Sequence, residues 1–193
     1  MSEGDFLDDR RRASEDDYFR KKDRELIEKM RQAAEAERAT SELRSKTGLS
    51  DPELLASLQD LGFTPETLAV LPLVPIVQIA WAEGGVSQAE RDLIVKFARE
   101  RGIAAGTPAD LLLGEWMARK PSDAVFSRAA GLVRAMLDVG GASGVAASWS
   151  ADELIKYAES IAAASGGLFG LGKVSSEERD TLARITTALK RKA

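Results

Sequence analysis

The feature that most constrains this fold is a serine followed three residues later by a glutamate, a pattern that recurs along the chain. It occurs at Ser50 and Glu53, Ser87 and Glu90, Ser150 and Glu153, and Ser175 and Glu178. In such a capping box the serine hydroxyl accepts a hydrogen bond from the glutamate N–H, and the carboxylate accepts one from the serine N–H. Both bonds satisfy backbone donors that the first turn of a helix leaves unpaired. The pattern therefore predicts a helix start at each of these places.

Glycines and apolar spacing complete the helical pattern. Helix ends are predicted at Gly62, Gly84, Gly102, and at Gly140 with Gly141. Apolar residues recur at helical spacing between these points, as in Leu93, Ile94, Phe97 and Ala98, and no convincing strand alternation appears. The longest apolar run, residues 68–82, predicts a buried core helix and is shorter than the roughly 20 residues of a bilayer span. We therefore expect an all-α bundle of about seven helices over residues 50–193.

Residues 1–46 differ in composition from the rest of the chain and predict a separate arm. Most positions between Arg10 and Arg31 are charged, and opposite charges recur at a spacing of four, which stabilises an isolated helix. A thin apolar stripe is formed by Phe19, Leu26, Met30 and Ala33. We expect a long, mostly solvated helix from about residue 10 to about residue 44. The predicted domains are the charged arm, residues 1–46, and the bundle, residues 50–193.

The bundle contains an internal repeat. The stretch AEGGVSQAERDLIVKFA, from Ala82, aligns with ASGGLFGLGKVSSEERDTLARIT, from Ala164. Each copy predicts a helix, a glycine turn and a second, capped helix. The second copy also has the outline of a phosphate-binding loop in Gly167, Gly172 and Lys173. Such a loop follows a strand and has Ser or Thr after its lysine. Here a predicted helix precedes and Val174 follows, so we interpret the glycines as a turn at a helix end.

The composition excludes several function classes. The chain has no cysteine and no histidine, which removes thiolate nucleophiles, the common zinc sites and Ser–His triads. Its carboxylates lie in predicted capping or solvated positions, so we predict that it is not an enzyme. A net charge of −4 argues against nucleic acid as a partner. The amino terminus lacks the apolar run of a secretory signal, which predicts a cytoplasmic protein with only indirect membrane contact.

Residues 50–193 resemble the TerB-like tellurite-resistance family. The resemblance is carried by IAWAEGGVSQAERDLIVKFARERGI, from Ile79, and by AAASGGLFGLGKVSSEERDTLARI, from Ala162. It implies a compact helical bundle, and metal binding through acidic residues has been proposed for the family. On this chain that would place a divalent cation such as Ca²⁺ at Glu83 and Glu90, with no other cofactor. Glu83 stands where the family usually has Asp, and the second copy has Ser165. The alternative is that Glu90 and Glu178 only cap their helices.

The arm resembles a different family. The stretch FLDDRRRASEDDYFRKKDRELIEKMR, from Phe6, is similar to the inhibitory helix of the mitochondrial ATP synthase inhibitor protein and to the start of the bacterial ATP synthase zeta subunit. In that family the helix inserts between subunits of the catalytic head and blocks ATP hydrolysis. The resemblance implies a binding role for the matching residues Arg11, Glu15, Tyr18, Phe19 and Arg20. Phe6, Leu26 and Met30 are the further candidate contacts on this segment.

The sequence leaves alternatives for the arm and for the whole protein. Tyr18 and Phe19 have no evident use on a solvated helix, so they could bind a partner, cover the bundle or belong to a stripe through which two copies dimerise. The leading hypothesis is a regulatory binding protein that inhibits an F-type ATP synthase through its catalytic subunits. The alternative is a TerB-like stress-response scaffold that binds a divalent cation. The mitochondrial inhibitor responds to pH through histidines, and because this chain has none, pH near neutrality is not expected to regulate it.

Overall fold

The computed structural model describes the backbone of residues 3–139, 145–165 and 175–190, and their side chains except those of 3–17, 146, 148 and 165. These residues form eight α-helices, joined by turns and two 3-10 helices. The α-helices are α1 (Glu3–Thr47), α2 (Pro52–Asp60), α3 (Val74–Ala80), α4 (Gln88–Glu100), α5 (Pro108–Ala118), α6 (Asp123–Asp138), α7 (Ala151–Ser165) and α8 (Ser176–Lys190). The 3-10 helices are Leu68–Leu73 and Val145–Ser148. Because the described residues contain no strand, the all-α prediction is confirmed for them.

The chain divides into two compact units, Met1–Ser41 and Glu42–Ala193. Within the first, the described residues belong to a single element, the greater part of α1. The second contains the end of α1 and all later elements. Helix α1 ends at Thr47, and Gly48 follows with a φ of +73°, which a residue with a side chain rarely adopts.

Helix α3 lies at the centre of the second unit. It packs against α4, α6, α7 and α8, and the side chains of Val74, Ile76, Val77 and Ile79 are fully buried. A helix that is apolar on all sides is stable only when other elements enclose it. The apolar run from residue 68 is buried as predicted. The prediction that it forms one helix is wrong. Residues Leu68–Leu73 form a 3-10 helix because Pro72 and Pro75 disrupt α-helical hydrogen bonding, and Pro75 is tolerated in the first turn of α3.

Three of the predicted capping boxes are present. Hydrogen bonds in both directions join Ser87 with Glu90, Ser150 with Glu153, and Ser175 with Glu178, at 2.7–3.3 Å. The predicted box at Ser50 is wrong, because Asp51 is the N-cap and accepts from the Glu53 N–H at 2.8 Å. Aspartate caps as well as serine does, and Pro52 then occupies the first helical position, which proline favours.

Arginines tie neighbouring helices of the second unit together. Arg91 in α4 donates to the Met117 carbonyl in α5 at 3.0 Å, and Arg134 in α6 donates to the Leu189 carbonyl in α8 at 2.7 Å. Arg101, at the end of α4, donates to Glu153 at 2.7 Å and stacks on the Trp149 ring. Met117 and Leu189 lie in the last turns of their helices, so the bonds from Arg91 and Arg134 satisfy carbonyls that intrahelical bonding leaves free.

The glycine turns are present where the structure describes them. Gly62, Gly84 and Gly102 have φ values of +82°, +90° and +82°, as expected for residues that end helices. The predicted end at Gly140 and Gly141 lies outside the described residues. So does the glycine-rich segment with Gly167, Gly172 and Lys173.

Candidate functional site

The first unit exposes large apolar side chains on α1. Tyr18 is 57% and Phe19 61% exposed, and Leu26, Ile27 and Met30 are more than half exposed as well. We call these five residues the α1 patch. A scattered exposed leucine is ordinary on a protein surface. Five large apolar residues within thirteen positions of one helix are not, and such anchors flanked by charges are typical of helices that bind in a partner's groove.

The α1 patch surrounds half of the helix. Tyr18 and Phe19 contact each other edge to face, with ring centroids 5.9 Å apart and an interplanar angle of 72°. Consecutive residues of an α-helix point about 100° apart. By the same rotation Leu26 and Met30 lie close to the direction of Phe19, whereas Ile27 is displaced to the side opposite Tyr18. The apolar arc is therefore about 180° wide, which suits insertion into a cleft better than docking on a flat surface.

Charged side chains next to the α1 patch make only weak interactions within the helix. The Lys22 ammonium lies 5.8 Å from the centre of the Tyr18 ring and 3.8 Å from the Glu25 carboxylate. Arg24 donates to the Arg20 carbonyl at 3.2 Å. All these side chains are exposed, so their interactions contribute at most about 1 kcal/mol each. Opposite charges on a partner can replace them at little cost.

The predicted contact residues all belong to α1. Tyr18, Phe19, Arg20, Leu26 and Met30 are exposed along it. Residues Phe6, Arg11 and Glu15 lie in the same helix, and their side chains are outside the described part. Sequence reasoning left Ile27 out of the candidate contacts, because the apolar stripe that it followed is narrow. The sequence signal for Ile27 was a β-branched residue of lower helix propensity within a charged helix. Among the described residues, the first unit has no other element that covers it.

The predicted metal ligands differ strongly in their surroundings. Glu83 is exposed in the turn after α3, whereas Glu90 is 2% exposed in the first turn of α4. The Glu90 carboxylate accepts a hydrogen bond from the Ser87 N–H at 2.7 Å. Among the side chains that the structure describes, no group of three or more acidic residues is placed to hold a metal ion. Glu90 thus has an observed role in capping, the alternative that the sequence left open.

The capping glutamates of both repeat copies are buried, and they lie close enough for the charge of one to affect the other. Glu178 in α8 is 1% exposed and matches Glu90 in the alignment. Burial raises the pKa of Glu90, and the nearby charges of Glu178 and Glu83 raise it further, although the bonds with Ser87 act the other way. A carboxyl group with a raised pKa in the folded state stabilises the fold when protonated, and this contribution is lost as pH rises through the folded pKa.

Substitutions at this capping box have opposite expected effects. We expect Ser87→Ala to lower the free energy of unfolding by about 1 kcal/mol, because a helix donor loses its partner. We expect Glu90→Gln to leave it unchanged or raise it near neutral pH, because glutamine can keep the bond to the Ser87 N–H without a buried charge. Urea unfolding followed by circular dichroism measures both. The Glu90→Gln variant should also lose less stability than the wild type as the pH rises from about 4.5. A large loss of stability in Glu90→Gln would contradict this role.

The described helices include none that combines the length and apolar character needed to cross a membrane. Comparisons of the chain with protein-family models, curated proteins and solved structures give no match. The class of protein that the structure defines is therefore an all-helical one that carries a long, highly charged helix with an exposed apolar patch.

Proposed function

We propose that this chain is a cytoplasmic regulatory binding protein whose helix α1 inserts into the catalytic head of an F-type ATP synthase and inhibits ATP hydrolysis. The observation that carries the proposal is the exposed, edge-to-face ring pair of Tyr18 and Phe19. Burying the remaining exposed surface of these two rings gives a partner at most about 1.5–3 kcal/mol for each ring. The resemblance of the arm to ATP synthase inhibitors provides the identity of the partner.

The shape of the α1 patch supports insertion between subunits. A patch that spans about 180° of the helix circumference is covered more completely by surfaces on several sides of the helix than by one flat surface. A cleft between the catalytic subunits of a rotary head offers such surfaces, and its subunits move during turnover. A helix wedged there would stop those movements and thereby the hydrolysis of ATP. Exposed charges on α1, such as Arg20 and Lys22, would pair with the walls of the cleft.

For the second unit we propose a TerB-like bundle. Support comes from the helix, glycine turn and capped helix of α3–α4, from the capped start of α8 in the second copy, and from the burial of the matching Glu90 and Glu178. Its core is self-sufficient, since α3 is enclosed by helices of the same unit. In the proposed function this unit forms the folded body, and α1 provides the inhibitory contact.

The direct experiment adds the full chain to isolated F-type catalytic heads that are hydrolysing ATP. We expect inhibition at micromolar concentrations, building up during turnover because the cleft must open before the helix can enter. Bovine serum albumin at the same concentrations is the control for nonspecific effects. Unchanged hydrolysis at about 100 μM of the chain would contradict the proposal, because that concentration corresponds to a binding free energy of only about −5.5 kcal/mol.

Inhibition by this protein is expected to be insensitive to pH near neutrality. The chain has no histidine, and histidine is the side chain that normally changes charge between about pH 5 and pH 8. The concentration for half-inhibition should therefore agree within about twofold at pH 6.5 and pH 8, after correction for the activity of the heads alone. A tenfold difference would show that another group controls binding.

A second candidate is a scaffold that binds a divalent cation at the turn between α3 and α4. The resemblance of the repeat to the TerB-like family favours it, because the matching residues Glu83 and Glu90 are both carboxylates. Calorimetric titration of the full chain with Ca²⁺ tests this candidate against the variant with Glu83→Gln and Glu90→Gln. Heat of binding that disappears in the variant supports a cation site there. No heat, or equal heat from both proteins, eliminates it.

A further inference from the structure

The second unit contains a groove that the proposed function does not use. It has a volume of about 960 Å³ and lies between the end of α3, the start of α6 and the outer side of α8. Trp81, Phe126 and Thr181 form its floor. Phe126 and Thr181 are almost fully buried, and the Trp81 Nε1–H donates to the Trp116 carbonyl at 2.8 Å, which fixes the indole ring. The groove is therefore preformed and has aromatic side chains at its base, as binding sites commonly do.

The groove continues along α8. A smaller cavity of about 410 Å³ shares Ala183 and Arg184 with it and extends to Thr187 and Ala188. From Glu177 to Ala188 the helix advances about 16 Å, which is three helical turns. Ala183, Thr187 and Ala188 on this line are small and allow a second backbone to approach, and Arg184 is the long side chain among the residues that line the smaller cavity. The length and the small side chains fit a helix of about three turns lying beside α8.

The rim of the groove carries more negative than positive side chains. Asp123, Glu177 and Asp180 contribute carboxylates, and Lys120 and Arg184 contribute cations. The Lys120 ammonium lies 3.9 Å from Asp123, and Arg184 donates to the Thr181 hydroxyl at 3.1 Å. Within the part of the chain that the structure describes, neither Glu177 nor Asp180 forms an ion pair. These two carboxylates at the start of α8 can therefore form ion pairs with cationic side chains of an occupant.

We infer that this groove binds a basic amphipathic helix of a partner protein. A large apolar side chain of the occupant packs on the partly exposed Trp81 ring at the floor. Lysine or arginine side chains one turn away pair with Glu177 and Asp180, and the helix backbone passes Ala183. The apolar floor provides affinity and the carboxylates select a basic partner over an acidic one. The site lies wholly in the second unit, and its existence does not depend on inhibition by α1.

Two synthetic helical peptides of about 16 residues test the inference with the full chain. Both carry the same stripe of leucine and phenylalanine at helical spacing, and they differ only in having lysine or glutamate beside the stripe. Nuclear magnetic resonance titration follows the amide signals of Ala183 and Thr187. We expect the lysine peptide to shift these signals at micromolar concentrations and to bind at least about tenfold more tightly than the glutamate peptide.

Variants of the full chain locate the contact. Glu177→Gln with Asp180→Asn should weaken the lysine peptide about three- to tenfold, because two exposed ion pairs are lost. Ala183→Gln should block the groove without a change of charge. The matched controls lie on α7: Asp152→Asn with Glu159→Gln changes the net charge equally, and Ala163→Gln places the same side chain on another exposed helix position.

The outcomes either support or overturn the site. Binding of the lysine peptide that is lost in the groove variants and kept in the α7 controls supports it. Three results overturn it: no binding of either peptide at about 1 mM, equal binding of both peptides, or equal affinity in groove and control variants. Concentration-dependent dimerisation in sedimentation velocity that Ala183→Gln abolishes would also overturn it, because the occupant would then be a second copy.

Discussion

Replacing Tyr18 and Phe19 together by alanine is expected to raise the concentration needed for half-inhibition of ATP hydrolysis by about 100-fold or more. Each ring is the kind of aromatic anchor whose loss from a buried interface costs about 2 kcal/mol or more. Both side chains are mainly exposed in the free protein, and alanine is a strong helix former, so the substitutions should preserve α1. Titration of hydrolysing catalytic heads with the full-length variant measures the effect.

The matched control removes two exposed apolar side chains from the second unit. Leu111 is 66% and Val139 50% exposed, which makes Leu111→Ala with Val139→Ala comparable in exposure to the double substitution in α1. We expect this control to inhibit like the wild type. Equal loss of inhibition in both variants would show that apolar surface in general is responsible. Retained inhibition in the α1 variant would remove Tyr18 and Phe19 from the interface.

Replacing Ile76 by alanine is expected to lower the free energy of unfolding by about 2–5 kcal/mol. Its side chain is fully buried in α3, the helix that α4, α6, α7 and α8 enclose. Removing three heavy atoms there leaves a cavity that several helices would have to close together. Urea unfolding of the full chain, followed by tryptophan fluorescence, reports this transition because Trp81, Trp116 and Trp149 all lie in the second unit.

The corresponding control is Leu111→Ala, which removes a side chain of the same size from an exposed position on α5. We expect a change within about 0.5 kcal/mol. If Ile76→Ala proved as mild as this control, α3 would not be the centre of the core. Circular dichroism reports all helices, whereas tryptophan fluorescence reports only the second unit. Helical signal that remains after the fluorescence transition would show that α1 stays helical when the second unit has unfolded.

Local signals in the sequence predicted the helix starts well. Capping boxes at Ser87, Ser150 and Ser175 involve residues only three positions apart, so their hydrogen bonds do not depend on distant packing. The error at Ser50 has the same local origin, because Asp51 is an equally good cap and lies directly before Pro52. The prediction of one helix over residues 68–82 was wrong because it relied on the apolar pattern. That pattern does not show that Pro72 and Pro75 change the type of helix.

Features that depend on tertiary packing could not be predicted from local pattern. The burial of Glu90 and Glu178 depends on residues outside their own capping boxes, which a pattern of four residues does not reveal. The groove combines Trp81, directly after α3, with Phe126 in α6 and Thr181 in α8, which are far apart in sequence. In contrast, the α1 patch was largely predictable, because exposure follows from a helix with too few apolar residues to form a core of its own. Only Ile27 was missed.

Site-specific photo-crosslinking from position 19 tests the central claim most directly. A photoreactive phenylalanine analogue replaces Phe19 in the full chain, which is then irradiated with catalytic heads that are hydrolysing ATP; the same analogue at position 111 is the control. The account predicts a covalent adduct with the catalytic subunits from position 19 and none from position 111. Adducts only with a second copy of this chain, or no adduct while the heads turn over, would contradict it.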